Sequence, residues 1–506
     1  MSDSQSTKTS ESEVKPQDSG STETFDLALD PDLEAQLNLN DAEGTKHKGP
    51  ATLHAADPEN PRNWSTMRKT TINAILCVWV LTLTYSSTAY VTSLPTLMQR
   101  YHMSQEVAIL GVTLTVFGFA AGPLLFGPAS ELYGRQAVYR LCGLGFTAFG
   151  FGAAFAPNTA SLLVFRFLVG FFGSASINNV PASIGDYTTP IERMGYTVWY
   201  ALNAFGGPAL GPLVSAFIQH DAGFHWNFRV MAIFSAVLSI LVAFVPETHG
   251  PTLLKWRIAK NGEAPPPSTF RQVMSVFKGA LSRPLIYLFT EPAVMLVSLY
   301  LSILYGILYG FFETFSVVFL EIRGFQTTSY GLTYIALGLG FALGSILLAT
   351  LGQSLYEKSA SADAAKGIPT RPEARLALAY PGAIILPISL FLFAWTAPFP
   401  SVHWIVPCIG QFLFSCSMLL VFTGFIPYLI DVYQMTAASA LAAGMASRAV
   451  VGSVFPLFSI QMAHGLTVQG STSLLAGISC LLAPLPFIFR IYGNQIRERS
   501  KYAAPQ

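Results

Sequence analysis

The sequence predicts an all-α membrane protein with twelve transmembrane helices in two six-helix bundles, and three observations carry that prediction. Hydrophobic residues make up 52% of the 506-residue chain and charged residues only 11%, where a soluble domain carries about 25% charged. The apolar residues gather in runs close to the ~20 residues that cross a ~30 Å hydrocarbon core. A polar, basic stretch near the middle separates the runs into six and six.

Residues 1–69 are rich in Ser, Thr, Asp, Glu, Gln and Pro and poor in aromatics. Such a composition buries too little surface to offset the entropy of ordering, so a disordered cytoplasmic tail is expected there. The start lacks the basic, apolar and small-residue pattern of a secretory signal, and the first apolar helix is expected to serve as an uncleaved targeting segment. The first six spans are placed near 71–94, 107–126, 137–156, 161–184, 197–218 and 230–245, giving a bundle over 70–246. Residues 247–284 read as a cytoplasmic amphipathic linker, with Lys255, Arg257, Lys260, Arg271, Lys278 and Arg283 around a Pro265, Pro266, Pro267 hinge. The second six are placed near 293–312, 332–351, 377–396, 404–425, 439–460 and 473–491, in a bundle over 285–492 followed by a cytoplasmic tail, 493–506.

Lysine and arginine are retained in cytoplasmic loops, and Arg68, Lys69, Arg135, Arg193, the linker cations, Lys358, Lys366, Arg371, Arg375, Arg497, Arg499 and Lys501 all fall on one side of the predicted topology. Both termini are therefore expected in the cytoplasm, with the sequon at Asn63 unglycosylated. Arg100, Arg229 and Arg323 are the chief cations of the opposite loops.

The net charge of +1 and the lack of basic blocks with interleaved aromatics exclude a nucleic-acid partner. Cys77, Cys142, Cys408, Cys416 and Cys480 sit inside apolar runs without metal-ligand spacing, and read as small apolar fillers. No phosphate-binding lysine loop is present, so ATP is not the energy source. Gly338, Gly340 and Gly344 lie inside an apolar helix with no preceding strand, which makes them packing residues. No cofactor and no metal site are expected, and the chain does not read as an enzyme.

Several motifs carry a family resemblance. Gly127, Glu131, Gly134 and Arg135 resemble the loop motif between spans 2 and 3 of the major facilitator superfamily, and Arg166 with Gly170 resembles its span 4 motif. Gly207, Pro208, Gly211 and Pro212 resemble its antiporter motif in span 5. DPENPRNW at 57–64, PET at 246–248, FTEP at 289–292 and SALAAGMASR at 439–448 look like fungal drug:proton antiporters with twelve spans. The resemblance runs from Asp57 to the end and implies the major facilitator fold and secondary transport. Glu131 stands where the family more often has aspartate, Pro181 and Ala182 where paired glycines are frequent, and Gly444 where asparagine is common.

Each motif has a physical reading. Arg135 beside Glu131 forms a charge relay, and the resemblance places Asp186 near it. Arg166 is an ionisable group inside an apolar helix, costly unless it faces a cavity or a partner. The resemblance makes it part of proton coupling, and the alternative is a structural arginine bonded to helix carbonyls. Arg448 in span 11 carries the same two readings. Gly207 to Pro212 remove bulk and one backbone donor per proline, which suits a hinge and seal or ordinary close packing. The acids in or beside the spans are Asp186, Glu291, Glu313 and Asp431. Glu291 and Glu313 flank span 7 and are the coupling candidates, against the alternative of helix-end charges in water.

A midplane cavity between the halves is expected to draw on Tyr85, Ser86, Ser87, Tyr90, Asn178, Asn179, Asn203, Tyr300, Tyr305 and Tyr309, although Tyr300 and Tyr309 also suit an interfacial aromatic belt. Aromatic faces with a few amides and hydroxyls fit a medium-sized organic molecule, and the deep cations favour an anionic or neutral one. The expected function is a proton-coupled secondary active transporter exporting a small organic metabolite, organic acid or drug by alternating access. The alternatives are a polyamine exporter, or a nutrient or sugar symporter of the same fold. The expected partners are that substrate, protons and the lipid bilayer, around a monomer in the plasma membrane.

Overall fold

The computed structural model describes residues 57, 59–262, 270–368, 370–500 and 502. The described elements are all helical, and twelve of them are long and apolar enough to cross a membrane.

The first half holds α1 (Thr66–Thr88), its short continuation α2 (Leu94–Tyr101), α3 (Gln105–Tyr133), α4 (Arg135–Ala154), α5 (Thr159–Tyr187), α6 (Pro190–Ala222) and α7 (Phe224–Ala243). Next come α8 (Gly250–Lys260) and α9 (Phe270–Thr290). The second half holds α10 (Pro292–Ser316), α11 (Thr327–Leu347), α12 (Gln353–Ala364), α13 (Ala379–Thr396), α14 (Ile405–Tyr433), α15 (Ala437–Gly465), α16 (Thr467–Leu482) and α17 (Leu485–Glu498). Helix starts follow the chain's own capping chemistry: Ser65, Ser104, Asn158 and Thr189 accept backbone N–H groups of α1, α3, α5 and α6.

Two expectations change at the edges. Composition places residues 57–69 in the tail, but α1 begins at Thr66, and Asp57 and Glu59 form ion pairs with Arg257 of α8. The charge pairs and the Ser65 cap supply what the apolar-poor composition lacks. Residues 1–56 and the triple-proline hinge lie outside the described residues. The end of the chain is helical to Glu498, with Arg497 bonded to Glu373 and Ser500 to the Glu291 carboxylate.

Within the first half α1 packs on α6, α3 on α5, and α4 on α5 and α7; within the second, α10 packs on α15, and α14 on α11 and α13. The halves meet along α3 with α15 and along α6 with α11. Gly170 lets α5 touch α3, since a Cβ there would lie 2.0 Å from the Thr115 carbonyl oxygen. Gly340 does the same for α11 on α14, where a Cβ would meet Ser415 Oγ at 2.0 Å, and so Gly340 is the packing residue that its place in an apolar helix predicts. Leu144, Ile240, Ile346, Ile388 and Leu481 point outward and exposed, the reverse of a soluble surface and what lipid solvates.

Candidate functional site

At the Lys/Arg-rich end, α3 gives way to α4 through Gly134, whose φ of +92° disfavours any side chain. The turn aims the first N–H groups of α4 at the buried Glu247 carboxylate, which accepts from Arg135 (3.0 Å), Gln136 (3.1 Å), Thr248 (2.9 Å) and His249 (2.8 Å). An anion there satisfies orphan donors and the helix dipole together. The Arg135 guanidinium pairs with Asp186 of α5 at 3.2 Å and reaches Ser130, and the Thr248 hydroxyl joins Asp186 at 3.2 Å. The relay therefore runs from Arg135 to Asp186. Glu131, expected as its near partner, is exposed and makes no hydrogen bond or ion pair among the described residues, and acts on Arg135 only through its charge. Gly127 makes room for Asn178, 3.1 Å from where its Cβ would stand. Burial, with Arg135 and Lys255 nearby, pushes the His249 imidazole down to about 3.

The hinge residues lie on the α6 face that meets α1. A Cβ on Gly207 would stand 2.0 Å from Thr84 Oγ1, and one on Gly211 2.1 Å from Thr88 Oγ1. Pro212 has no N–H for the carbonyl of Pro208 one turn earlier, and the Thr88 hydroxyl donates to that oxygen at 3.1 Å. Pro181 likewise frees the carbonyl of Ile177, and the Tyr200 hydroxyl donates to it at 2.9 Å.

Deeper in the first half, the buried Arg166 guanidinium donates to the carbonyls of Gly111 (3.1 Å), Ser86 (2.9 Å) and Ser87 (3.3 Å) and lies 4.7 Å from the Tyr90 ring centroid. The Ser86 and Ser87 carbonyls belong to the last turn of α1, where the helical ladder stops. Arg166 thus closes α1, and no carboxylate lies within ion-pair distance of it among the described residues.

Both flanking acids of α10 are buried, so neither is a helix-end charge in water. Glu291 accepts from Tyr433 at 3.0 Å and from Ser500. Glu313 is fully buried, and neither carboxylate oxygen has a hydrogen-bond partner. Its helix continues as a π turn, Val317–Ile322, which carries Glu313 away from the span's end. Tyr90 of the first half and Tyr330 and Tyr334 of the second lie within its electrostatic reach. Asp431 pairs with Arg375 at 2.8 Å.

Tyr300 and Tyr309 are buried, which removes the interfacial-belt reading, and Tyr309 joins the halves through Ser87 Oγ at 3.1 Å. Tyr85 is buried with an unpartnered hydroxyl. Asn178 and Asn179 bond each other, Asn179 also donates to the Phe126 carbonyl, and Asn203 donates to its own helix at Trp199. Arg448 lies beside the Tyr305 and Phe422 rings, 5.6 and 5.8 Å from their centroids, which are themselves 6.5 Å apart. Sequence reasoning passed over Phe422, Phe205 and Tyr200, which close this region, and over the capping role of Glu247.

Residues 74–456 match the family model described as Major Facilitator Superfamily. The chain belongs to the major facilitator superfamily. It is 40% identical over 438 residues to the efflux pump FUB11 of Gibberella moniliformis, covering 84% of this chain and 72% of that one. It is 37% identical to the multidrug transporter mdrA of Aspergillus fumigatus, with coverage of 88% and 75%. Among solved structures, the proton:xylose symporter XylE matches at a TM-score of 0.61 and 15% identity, covering 85% of this chain and 96% of that one. The human organic anion transporter MFSD10 matches at 0.61 and 16%, covering 83% and 99%. The structural matches establish the fold, and the sequence matches put this facilitator among fungal efflux pumps and multidrug transporters as a multi-pass membrane protein. No group of His, Cys, Asp and Glu suited to a metal ion occurs among its described residues.

Proposed function

We propose that this facilitator exports a small organic metabolite, organic acid or drug in exchange for protons, with Glu313 as the group that carries the proton. The observation that carries the reading is the fully buried, unpartnered Glu313 carboxyl beside residues of both halves. A charge held there would be uncompensated. A coupling group must be sealed in one state and meet water in another, and rocking of one half against the other would supply the second state. The bundles over 70–246 and 285–492 are the bodies that rock, the Arg135, Asp186 and Glu247 cluster stiffens the Lys/Arg-rich end of the first bundle, and the α1–α6 contact at Gly207 to Pro212 seals the path.

The setting is the plasma membrane, with both termini in the cytoplasm and the monomer as the working unit. Efflux-pump relatives at about 40% identity support export over uptake. The test is flux in inverted plasma-membrane vesicles with an imposed proton gradient, offering organic acids, a polyamine and a hydrophobic drug. Uptake of one class that vanishes when the gradient is collapsed is expected. Uptake that ignores the gradient would replace antiport with facilitated diffusion.

A further inference from the structure

We propose that Arg448 is the anion-recognising group of the transport site, and that the substrate class is an amphipathic organic anion carrying a single carboxylate, its apolar body against Tyr305 and Phe422. The inference rests on the export reading and narrows it.

Four observations lead there. The deep cations elsewhere are occupied: Arg166 by three carbonyls, Arg135 by Asp186, Lys69 by Glu192 and Arg323 by the carbonyls that end α13. Arg448 has no ion pair and no hydrogen bond among the described residues, and the Tyr305 and Phe422 rings approach it. It lies well round α15 from the exposed Val450 and Val454, so it faces the protein interior. Finally, both halves build its surroundings. Phe205 of α6 packs 5.1 Å from Phe422 and 5.6 Å from Phe341, Tyr200 lies within electrostatic reach of Arg448, and Tyr305 packs 5.0 Å from Tyr309.

A guanidinium offers five N–H donors in a planar fork. Aromatic faces attract its charge but accept none of those donors as a carboxylate would. Arg448 is half-buried, and a carboxylate meets two of its charged donors at once. The flanking rings suit an apolar body. One cation without an ion pair at this place fits one negative charge and disfavours a polyamine. The Tyr200 hydroxyl donates to the Ile177 carbonyl, which fixes the ring as a wall of the region.

The test is equilibrium binding to the purified full-length chain in lipid nanodiscs, without a gradient, using 4-phenylbutanoate, its neutral amide and 4-phenylbutylamine. The wild type is expected to bind the carboxylate about tenfold or more tighter than the amide and to bind the amine weakest. Arg448→Gln should erase the preference while leaving amide affinity in place, and Arg448→Lys should keep part of it. Equal affinity for carboxylate and amide, a preference for the amine, no binding of any probe, or a preference that survives Arg448→Gln would each overturn the proposal. If the Gln variant does not fold, the wild-type preference and its weakening in Arg448→Lys decide. Intact carboxylate preference alongside gradient-independent flux would sink the antiport reading and leave this site standing.

Discussion

Replacing Arg166 by alanine separates a structural tie from a coupling group. The guanidinium meets three carbonyls, at 2.9, 3.1 and 3.3 Å, on two neighbouring helices. The Gly111 carbonyl keeps the Thr115 hydroxyl at 2.8 Å, whereas the Ser86 and Ser87 carbonyls are orphaned at about 1–3 kcal/mol each, roughly 2–6 kcal/mol together. Relief from burying the cation offsets part of this, since a buried charge is itself expensive. A net loss of about 3 kcal/mol follows, near the ~3–5 kcal/mol typical of breaking a buried charged contact. At ~2 °C per kcal/mol in a large domain, the apparent melting temperature in detergent should fall by about 6 °C. Arg166→Lys supplies a compact charge with no planar fork and should recover part of the loss. The assay is a melting curve for each variant beside vesicle flux. An alanine variant with unchanged melting but abolished gradient-driven flux would refute the carbonyl-tie reasoning and return Arg166 to proton coupling.

Further outcomes follow from neighbouring residues. Glu247→Ala removes the acceptor of two backbone N–H groups at the start of α4 and of the Thr248 and His249 N–H groups before α8 and should cost more than the ~1–2 kcal/mol of an ordinary cap, with Glu247→Gln intermediate in the same melting assay. Thr88→Val leaves the Pro208 carbonyl unpartnered and should destabilise the α1–α6 contact by about 1–3 kcal/mol, read as earlier proteolysis or melting. His249 titrates from an ordinary 6.5 in the unfolded chain to about 3 in the fold. Its depressed value means that stability is whole above pH 6.5 and is lost as pH falls from 6.5 towards 3. Between pH 7.5 and 5 the loss should be about 2 kcal/mol, and His249→Gln should flatten that part of the profile.

Much of the fold was legible because twelve helices of this length and apolarity have few other solutions. The Arg135 and Asp186 pairing was readable only through the family resemblance, whereas the glycine spacing itself marks the close approach at Gly207 and Gly211. Backbone partners leave none: nothing in the residues near Ser86 announces that α1 stops there and that Arg166 takes its last carbonyls. Glu313 read as a span-end acid because 293–312 already fills a bilayer's width, and only the π turn beyond Ser316 buries it. Phe422 and Phe205 are single aromatics in apolar runs, and only the packing of α6, α11 and α14 brings them together near Arg448.

The most direct measurement is paired flux in proteoliposomes holding wild type or Glu313→Gln, first as substrate exchange without a gradient, then as uptake driven by an imposed proton gradient. If Glu313 carries the proton, the Gln variant keeps exchange near the wild-type rate and loses gradient-driven accumulation. Gradient-driven accumulation that survives in Glu313→Gln would contradict the account and move the coupling site elsewhere in the chain.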